Sequence, residues 1–371
     1  SLLIDLYKEF PTVWNEKKSS LINEKLTVEA VRKSKKFIIF TSYYAGSYFG
    51  IEQAIEIDSL IKCIKSQNES FRNSLFACLF YAMKEVVFSK DGHMAQPLNL
   101  EKNESKLLAI RQKSVFGYFK AKFNEYLSIP ISKFNKKNEV FNLDFNDLLE
   151  KVDLSEVGLI YADPPYTDMQ YSRYYHLLNV AVNYDYPDLT IGRKGEYTKG
   201  LYTEGRFQSK LSQRSSASEQ IKKLMIFCKK NNINLALSYA YPQDPIKQHI
   251  DRYTISIDNL IQYANDIFGD NVLVVKQKYS HSNHRNDKHK LVNEYLIICG
   301  KKRYEQINIT ELKNKLENIQ PSKKNPIYDS HLYWSQKSFN VCDLLLELLT
   351  EENRKTSEFY SIEDKISFLF K

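Results

Sequence analysis

Cysteine is scarce in this sequence, and none of it is arranged for a shared task. Cys63, Cys78, Cys228, Cys299 and Cys342 are scattered, odd in number and set in apolar stretches. The absence of any CxxC pair argues against a zinc ribbon and against a disulfide framework. It implies a reducing, cytoplasmic setting with buried thiols. Also missing is any run of about eighteen uncharged apolar residues, so no membrane span is expected. The first residues mix acidic, basic and aromatic types, unlike the graded pattern of a secretory signal. No internal repeat is found.

What is present is a chain of 371 residues, 43% of them hydrophobic. That is room for one large α/β domain with insertions, or for two domains, and it argues against global disorder. The net charge of +8 suits a polyanionic partner. It equally suits a Lys-rich face that is simply solvated.

The hydrophobic period changes along the chain. Residues 1–35 carry apolar side chains at helical spacing, and 37–50 form an apolar, aromatic stretch ending in small residues. Two helical blocks follow, one through Ile51–Ile64 and one through Phe71–Met83, and 105–128 returns to helix after a polar loop. We take 1–135 as an N-terminal helical region suited to target recognition. From 136 to 300 short strands alternate with helices. Strands are expected at Glu139–Leu143, Val157–Ala162, Ile233–Tyr239, Asn271–Tyr279 and Leu291–Cys299. The last two are separated by too few residues for a parallel crossover, so they should be antiparallel neighbours. The expected fold class is therefore α/β, a largely parallel sheet closed by an antiparallel edge hairpin. Residues 301–371 read as a mostly helical extension.

The chemistry concentrates at Asp163-Pro164-Pro165-Tyr166, directly after an apolar strand. The exocyclic amine of a nucleobase is a poor nucleophile, because its lone pair is delocalised into the ring. Methylating it requires the lone pair aimed at the methyl carbon and acceptors for the N–H groups as they become acidic. A carboxylate and a neighbouring backbone carbonyl supply both acceptors. Two prolines stiffen the turn that holds them, and a following aromatic ring can stack on an extruded base. The C-terminal end of a strand is where open α/β sheets bind ligands. The bland alternative is an ordinary diproline turn with a packing tyrosine.

Several stretches together resemble the D12-class, Dam-like adenine-N6 DNA methyltransferases. They are Leu143–Phe145, Ile160–Leu178, Leu235–Tyr241 and Asn293–Gly300, with Tyr43–Ile61 as a further similar segment. The resemblance implies a class I, Rossmann-like fold with a helical insertion, S-adenosyl-L-methionine as methyl donor and double-stranded DNA as substrate. It places Asp163, Pro164, Pro165 and Tyr166 in the catalytic motif. Asp144, Phe145 and Asp163 fall at the cofactor, although Asp144 reads equally as the N-cap of a helix. Gln170, Tyr171, Arg173 and His176 fall near the DNA, although a buried packing histidine is the bland reading of His176. Cytosine N4 and RNA adenine are related acceptors; Asp163 speaks against the first.

One family feature is not found: the glycine loop that cradles the cofactor's methionine part. Ala45–Gly50 resembles it superficially, but its aromatic content suits packing. Two explanations are open. A second polypeptide could carry that loop in a split enzyme, as in a restriction or defence system, or the chain could be a non-catalytic DNA-recognition subunit. The intact motif at Asp163 favours the first. Two basic stretches complete the expected DNA surface. One is the loop at 192–214, with Arg193 and Lys194 among aromatic residues; the other is 276–290, with Lys276, Lys278, Arg285 and Lys288. Three histidines in the second stretch lack the spacing of a metal site.

Overall fold

The computed structural model describes residues 37–89, 93–99, 101–128, 139–155, 157–243, 250–281, 290–300 and 366–369. In chain order the helices are α1 (Ile51–Lys65), α2 (Glu69–Val86), α3 (Glu104–Arg111), α4 (Val115–Ser128), α5 (Phe145–Lys151), α6 (Ser172–Asn183), α7 (Ala217–Asn231) and α8 (Ile257–Phe268). The strands are β1 (Leu159–Ala162), β2 (Asn234–Pro242), β3 (Val272–His281), β4 (Lys290–Cys299) and β5 (Ile366–Leu369). These residues fall into two compact units. One holds 37–128 and 171–207; the other holds 139–170, 208–300 and 366–369.

The first unit is helical and unusually aromatic inside. A single π-helical turn at Phe40–Tyr44 leads into α1. Its neighbourhood buries Phe40, Tyr43, Tyr44, Tyr48 and Phe49 completely. The carboxylate of Asp58 holds this turn, accepting from the backbone N–H of Phe40 at 2.9 Å and of Thr41 at 2.8 Å, and from the hydroxyls of Thr41 at 2.7 Å and Tyr184 at 2.5 Å. In effect Asp58 caps a helix start from a distant helix, satisfying orphan donors at the positive end of the turn. α6 contributes His176, Leu177, Leu178, Val180 and Ala181 to this core and stops where Tyr184 turns left-handed. The stretch 186–207 is tied back on itself by isolated bridges, Leu189 with Thr203 and Ile191 with Tyr197.

The second unit is built on a sheet of order β3-β4-β2-β1-β5. β1 is parallel to both β2 and β5, while β4 runs antiparallel to β2 and to β3. All four residues of β1 are buried, as a strand covered on both faces requires. α8 shows why it packs: Ile257, Leu260, Ala264 and Phe268 recur at helical spacing and are the residues it buries. The Ser256 hydroxyl caps its start and Gly269, at φ +62°, ends it.

The antiparallel edge pair β3–β4 is as expected. Three details differ. Glu139–Leu143 forms no strand but an extended, mostly exposed lead into α5, and no described strand pairs with it. Within 301–371, expected to be mostly helical, the described residues 366–369 form β5, a parallel strand next to β1. Cys63 is exposed, whereas Cys78, Cys228 and Cys299 are buried as anticipated. The expected helix at 1–35, the rest of 301–371 and Cys342 lie outside the described residues. No described helix is long and apolar enough to cross a membrane.

Candidate active site

Sheet register places the Asp163 motif. The last β1 pair is Ala162 with Leu237, yet β2 continues to Pro242 paired with β4. Residues 163–166 therefore leave the sheet while Ser238, Tyr239 and Tyr241 carry the β2 wall onward. At that level the Ser238 hydroxyl donates to Glu294 of β4 at 2.9 Å. Pro164 and Pro165 are buried, while Asp163 and Tyr166 are half-buried. The carboxylate at 163 is thus neither sealed in the core nor left on an open surface, and the rigid part of the turn is the part that is packed.

The turn is held from its far end. The Tyr166 carbonyl accepts from the Thr254 backbone N–H at 3.0 Å and from the Tyr239 hydroxyl at 3.2 Å. Thr167 bridges to Tyr253, and the Asp168 N–H donates to the Arg252 carbonyl at 2.8 Å. The Tyr239 hydroxyl sits at a junction, 3.2 Å from the Thr254 hydroxyl and accepting from the Ile255 N–H at 3.2 Å. Burial raises its pKa to about 12, so it keeps its proton to donate. The Tyr166 and Tyr253 rings are nearly parallel, 22° apart in plane with centroids 6.1 Å apart, and Tyr241 meets Tyr253 edge-on at 5.1 Å. An exposed ion pair between Arg214 and Asp168 at 3.4 Å lies just past the motif and adds little stability there.

Asp144 is the N-cap of α5. Its Oδ1 accepts from the Asn146 backbone N–H and from the Asn146 side-chain amide, both at 3.0 Å. The amide is fixed in turn by Gln220 at 2.8 Å, and Lys223 donates to its oxygen at 3.1 Å. Both contacts use one carboxylate oxygen, so the capping role leaves Oδ2 to accept from a ligand. Phe145 is buried in the core of this unit. The acceptor chemistry at Asp144 therefore fits an adenine amino group, while the Phe145 ring is engaged in packing.

The residues expected near DNA are spread. Gln170 and Tyr171 precede α6, both half-buried. Arg173 is exposed on its first turn, with its guanidinium 5.7 Å from the centre of the Tyr202 ring. His176 is 1% exposed. Its Nε2 lies 3.0 Å from the Met94 carbonyl and 3.5 Å from the Tyr48 hydroxyl, and Tyr44, Tyr48 and Tyr202 surround the ring edge-on. Burial lowers its pKa to about 3, so the ring is neutral; in this placement it packs and presents no face to solvent. Arg193 and Lys194 are exposed at a tight turn closed by Gly192 and Glu196. Lys276 is exposed, its ammonium 5.6 Å from the Tyr295 ring. Lys278 lies on β3, and Arg285 and Lys288 lie outside the described residues. Ala45–Gly50 is a buried turn in which the Gly46 N–H meets the Phe49 carbonyl at 2.8 Å, not an open loop.

Sequence reasoning passed over Tyr239, Tyr253, Thr254 and Glu294. The alternating tyrosines of Leu235–Tyr241 carried a signal, since a strand that places Tyr239 and Tyr241 on one face at the sheet's C-terminal end lines whatever binds there.

Residues 109–225 match the model for the D12 class N6 adenine-specific DNA methyltransferases, a span that includes the whole Asp163 motif. The chain is also similar to the Type II methyltransferase M.FokI of Planomicrobium okeanokoites, 32% identical over 165 residues. That similarity covers 42% of this chain and 23% of the relative, so the chain spans well under half of the curated protein it matches. No solved structure matches.

Proposed function

We propose that this chain carries the catalytic segment of an adenine-N6 DNA methyltransferase that acts on a base extruded from the duplex. The observation that carries the reading is the half-buried Asp163 at the C-terminal end of β1, followed by two buried prolines and a carbonyl gripped by Tyr239 and Thr254. The family match over 109–225, which includes Asp163–Tyr166, supports it. So does the order of parallel strands closed by an antiparallel edge pair, which fits a class I, Rossmann-like methyltransferase sheet.

In this reading the Asp163 carboxylate and the backbone carbonyl beside it accept the N–H groups of adenine N6. The lone pair is thereby turned toward the incoming methyl group, and the proton made acidic by transfer has an acceptor in place. Tyr166 stacks on the base, its ring braced by Tyr253 and Tyr239. The buried prolines prevent the turn from yielding when the base enters. S-adenosyl-L-methionine, when bound, supplies an electrophilic methyl group; the Asp144 Oδ2 would hold its adenine amino group. In this proposal a second polypeptide completes the enzyme, in a restriction or defence setting. The working compartment is the cytoplasm.

The test is incubation of the chain with duplex DNA and methyl-labelled S-adenosylmethionine, alone and with its neighbouring gene products, followed by nucleoside analysis. Label in N6-methyladenine supports the reading. DNA binding with no transfer under any combination supports the other one, a recognition subunit without catalysis.

A further inference from the structure

The helical unit carries a small antiparallel ribbon within 188–204. Thr190 lies at its centre. Its N–H donates to the Tyr202 carbonyl at 2.7 Å, and its own carbonyl accepts from the Thr198 N–H at 3.1 Å. The Glu204 N–H reaches the Asp188 carbonyl at 2.8 Å, and the Thr190 hydroxyl donates to the Thr203 carbonyl at 3.1 Å. The foot of the ribbon is sunk in the core. Leu189 and Leu201 are buried, and Tyr197 packs against the same cluster. The Tyr48 and Tyr202 hydroxyls donate to the carbonyls of Gly200 and Ala95 at 3.0 and 2.6 Å. Leu201 is held at φ +48°, a left-handed conformation costly for leucine. The ribbon is thus a rigid mount.

A tight hairpin completes it. Ile191 pairs with Tyr197, and the Gly192 N–H donates to the Glu196 carbonyl at 2.7 Å. The Gly195 N–H closes the turn on the Gly192 carbonyl at 3.0 Å. Gly195 sits at φ +79°, as the last position of a three-residue hairpin loop requires. The residues this geometry sets at the tip are Arg193 and Lys194, and both are exposed. Lys199 is exposed as well, and across 191–199 the opposing charge is the exposed Glu196. Ile191, at the entrance to the turn, is an apolar side chain left 48% exposed.

We propose that the hairpin Ile191–Tyr197 enters the major groove of duplex DNA and reads base edges there, with Arg193 on a guanine. This rests on the reading of the chain as one that acts on DNA. Paired strands lie about 4.8 Å apart, and stacked sheets with their side chains are spaced by about 10 Å. A hairpin of that girth fits the major groove, about 12 Å wide, and not the minor groove, about 6 Å wide. A guanidinium offers two parallel N–H donors to O6 and N7 of guanine, whereas an ammonium is a point charge. Arg193 therefore takes the base edge, and Lys194 and Lys199 take phosphates that hold the hairpin in register. Ile191 has no side-chain donor and meets a thymine methyl, the apolar feature of that groove. A rigid mount suits this task, because a loose loop would lose to ordering much of what the contacts gain.

The experiment is selection of duplexes by the 371-residue chain from a library randomised over about ten base pairs, one helical turn, followed by sequencing. The variants are Arg193→Gln, at an exposed tip where folding should be undisturbed, and Lys230→Gln, an exposed cation in the last turn of α7 as a control for net charge. The parent should enrich a motif holding a guanine whose replacement weakens binding about five- to a hundredfold. R193Q should lose the preference at that guanine and keep the rest of the motif, while K230Q selects as the parent does. Within the motif, 7-deazaguanine lacks the N7 acceptor of the major groove. It should weaken the parent in fluorescence anisotropy and leave R193Q unaffected. Inosine lacks the minor-groove amino group and should leave both unchanged. An R193Q chain that selects the full parental motif, or that binds every duplex more weakly by one common factor, overturns base reading by Arg193. Sensitivity to inosine but not to 7-deazaguanine overturns the choice of groove. A parent that binds duplexes without preference overturns the hairpin's role alone, and a parent that binds no duplex overturns the functional reading with it.

Discussion

The hydroxyl of Tyr239 donates to the carbonyl of Tyr166 from 3.2 Å, tying the middle of the sheet to the end of the diproline turn that follows Asp163. Tyr239 is 1% exposed, and its ring meets the Tyr166 ring edge-on. It is a positioning residue: what it fixes is the path of the chain through which Asp163 and Tyr166 are aimed. Tyr239→Phe removes the proton and leaves the ring. We expect a stability loss of about 1–2 kcal/mol, the cost of leaving a buried acceptor and the Ile255 N–H short of a partner. Methyl transfer should slow about tenfold in kcat with KM for DNA little changed, since the binding surface is intact while the reacting geometry loosens. Steady-state kinetics on the folded variant separates the two parameters; a change confined to KM would contradict the assignment.

The Asp58 carboxylate is the structural hinge of the helical unit. Four donors converge on it, and burial raises its pKa to about 6 against the pull of those hydrogen bonds. Asparagine keeps the shape but turns an N–H₂ group toward donors. Asp58→Asn should therefore cost about 3 kcal/mol, the scale of a buried donor left facing no acceptor, measured by urea denaturation. A loss below about 0.5 kcal/mol, the range of a neutral surface change, would show that the π-helical turn does not depend on this contact.

His176 gives an acid sensitivity whose sign is fixed. Its folded pKa, about 3, lies below the ordinary 6.5, so the unfolded chain takes up its proton first as pH falls. The stability it contributes is complete above about pH 6.5 and is lost progressively toward pH 3. Asp58 acts in the opposite sense. Its folded pKa is raised, so its contribution is complete below about pH 4 and lost as pH rises through 6. The two partly cancel in the parent between pH 4 and 6. Comparing the parent with His176→Gln isolates the first: the parent should lose more stability than the variant between pH 7 and pH 4.5. Equal losses would mean that the ring takes up a proton in the folded state as easily as in the unfolded one.

Much of this architecture was legible because it depends on local pattern. The apolar run before Asp163, the helical spacing of Ile257, Leu260, Ala264 and Phe268, and the short link between the last two strands each report a physical constraint that sequence displays directly. Glu139–Leu143 misled because its alternation is that of a strand, yet a strand exists only where a neighbour supplies hydrogen bonds, and that information is not local. β5 was missed for the same reason: four residues at 366–369 acquire their identity from β1, some two hundred positions away. At the site, Asp163 and Tyr166 announced themselves as a motif. Tyr239 and Thr254 did not, since each is a tertiary coincidence of side chains far apart in sequence. His176 stood at the boundary, a polar residue within a motif-like segment whose burial alone decides between contact and packing.

If the carboxylate of Asp163 receives the amino group of adenine, as proposed, Asp163→Ala removes the acceptor on which transfer depends. The half-buried position at the end of β1 means that truncation should leave the fold within about 1 kcal/mol of the parent, as for changes outside the core. With the parent's transfer of label to N6-methyladenine established, the account predicts that D163A loses transfer by at least about a thousandfold while duplex DNA is bound within twofold of the parent affinity. A D163A chain that methylates adenine at the parental rate would contradict the account outright.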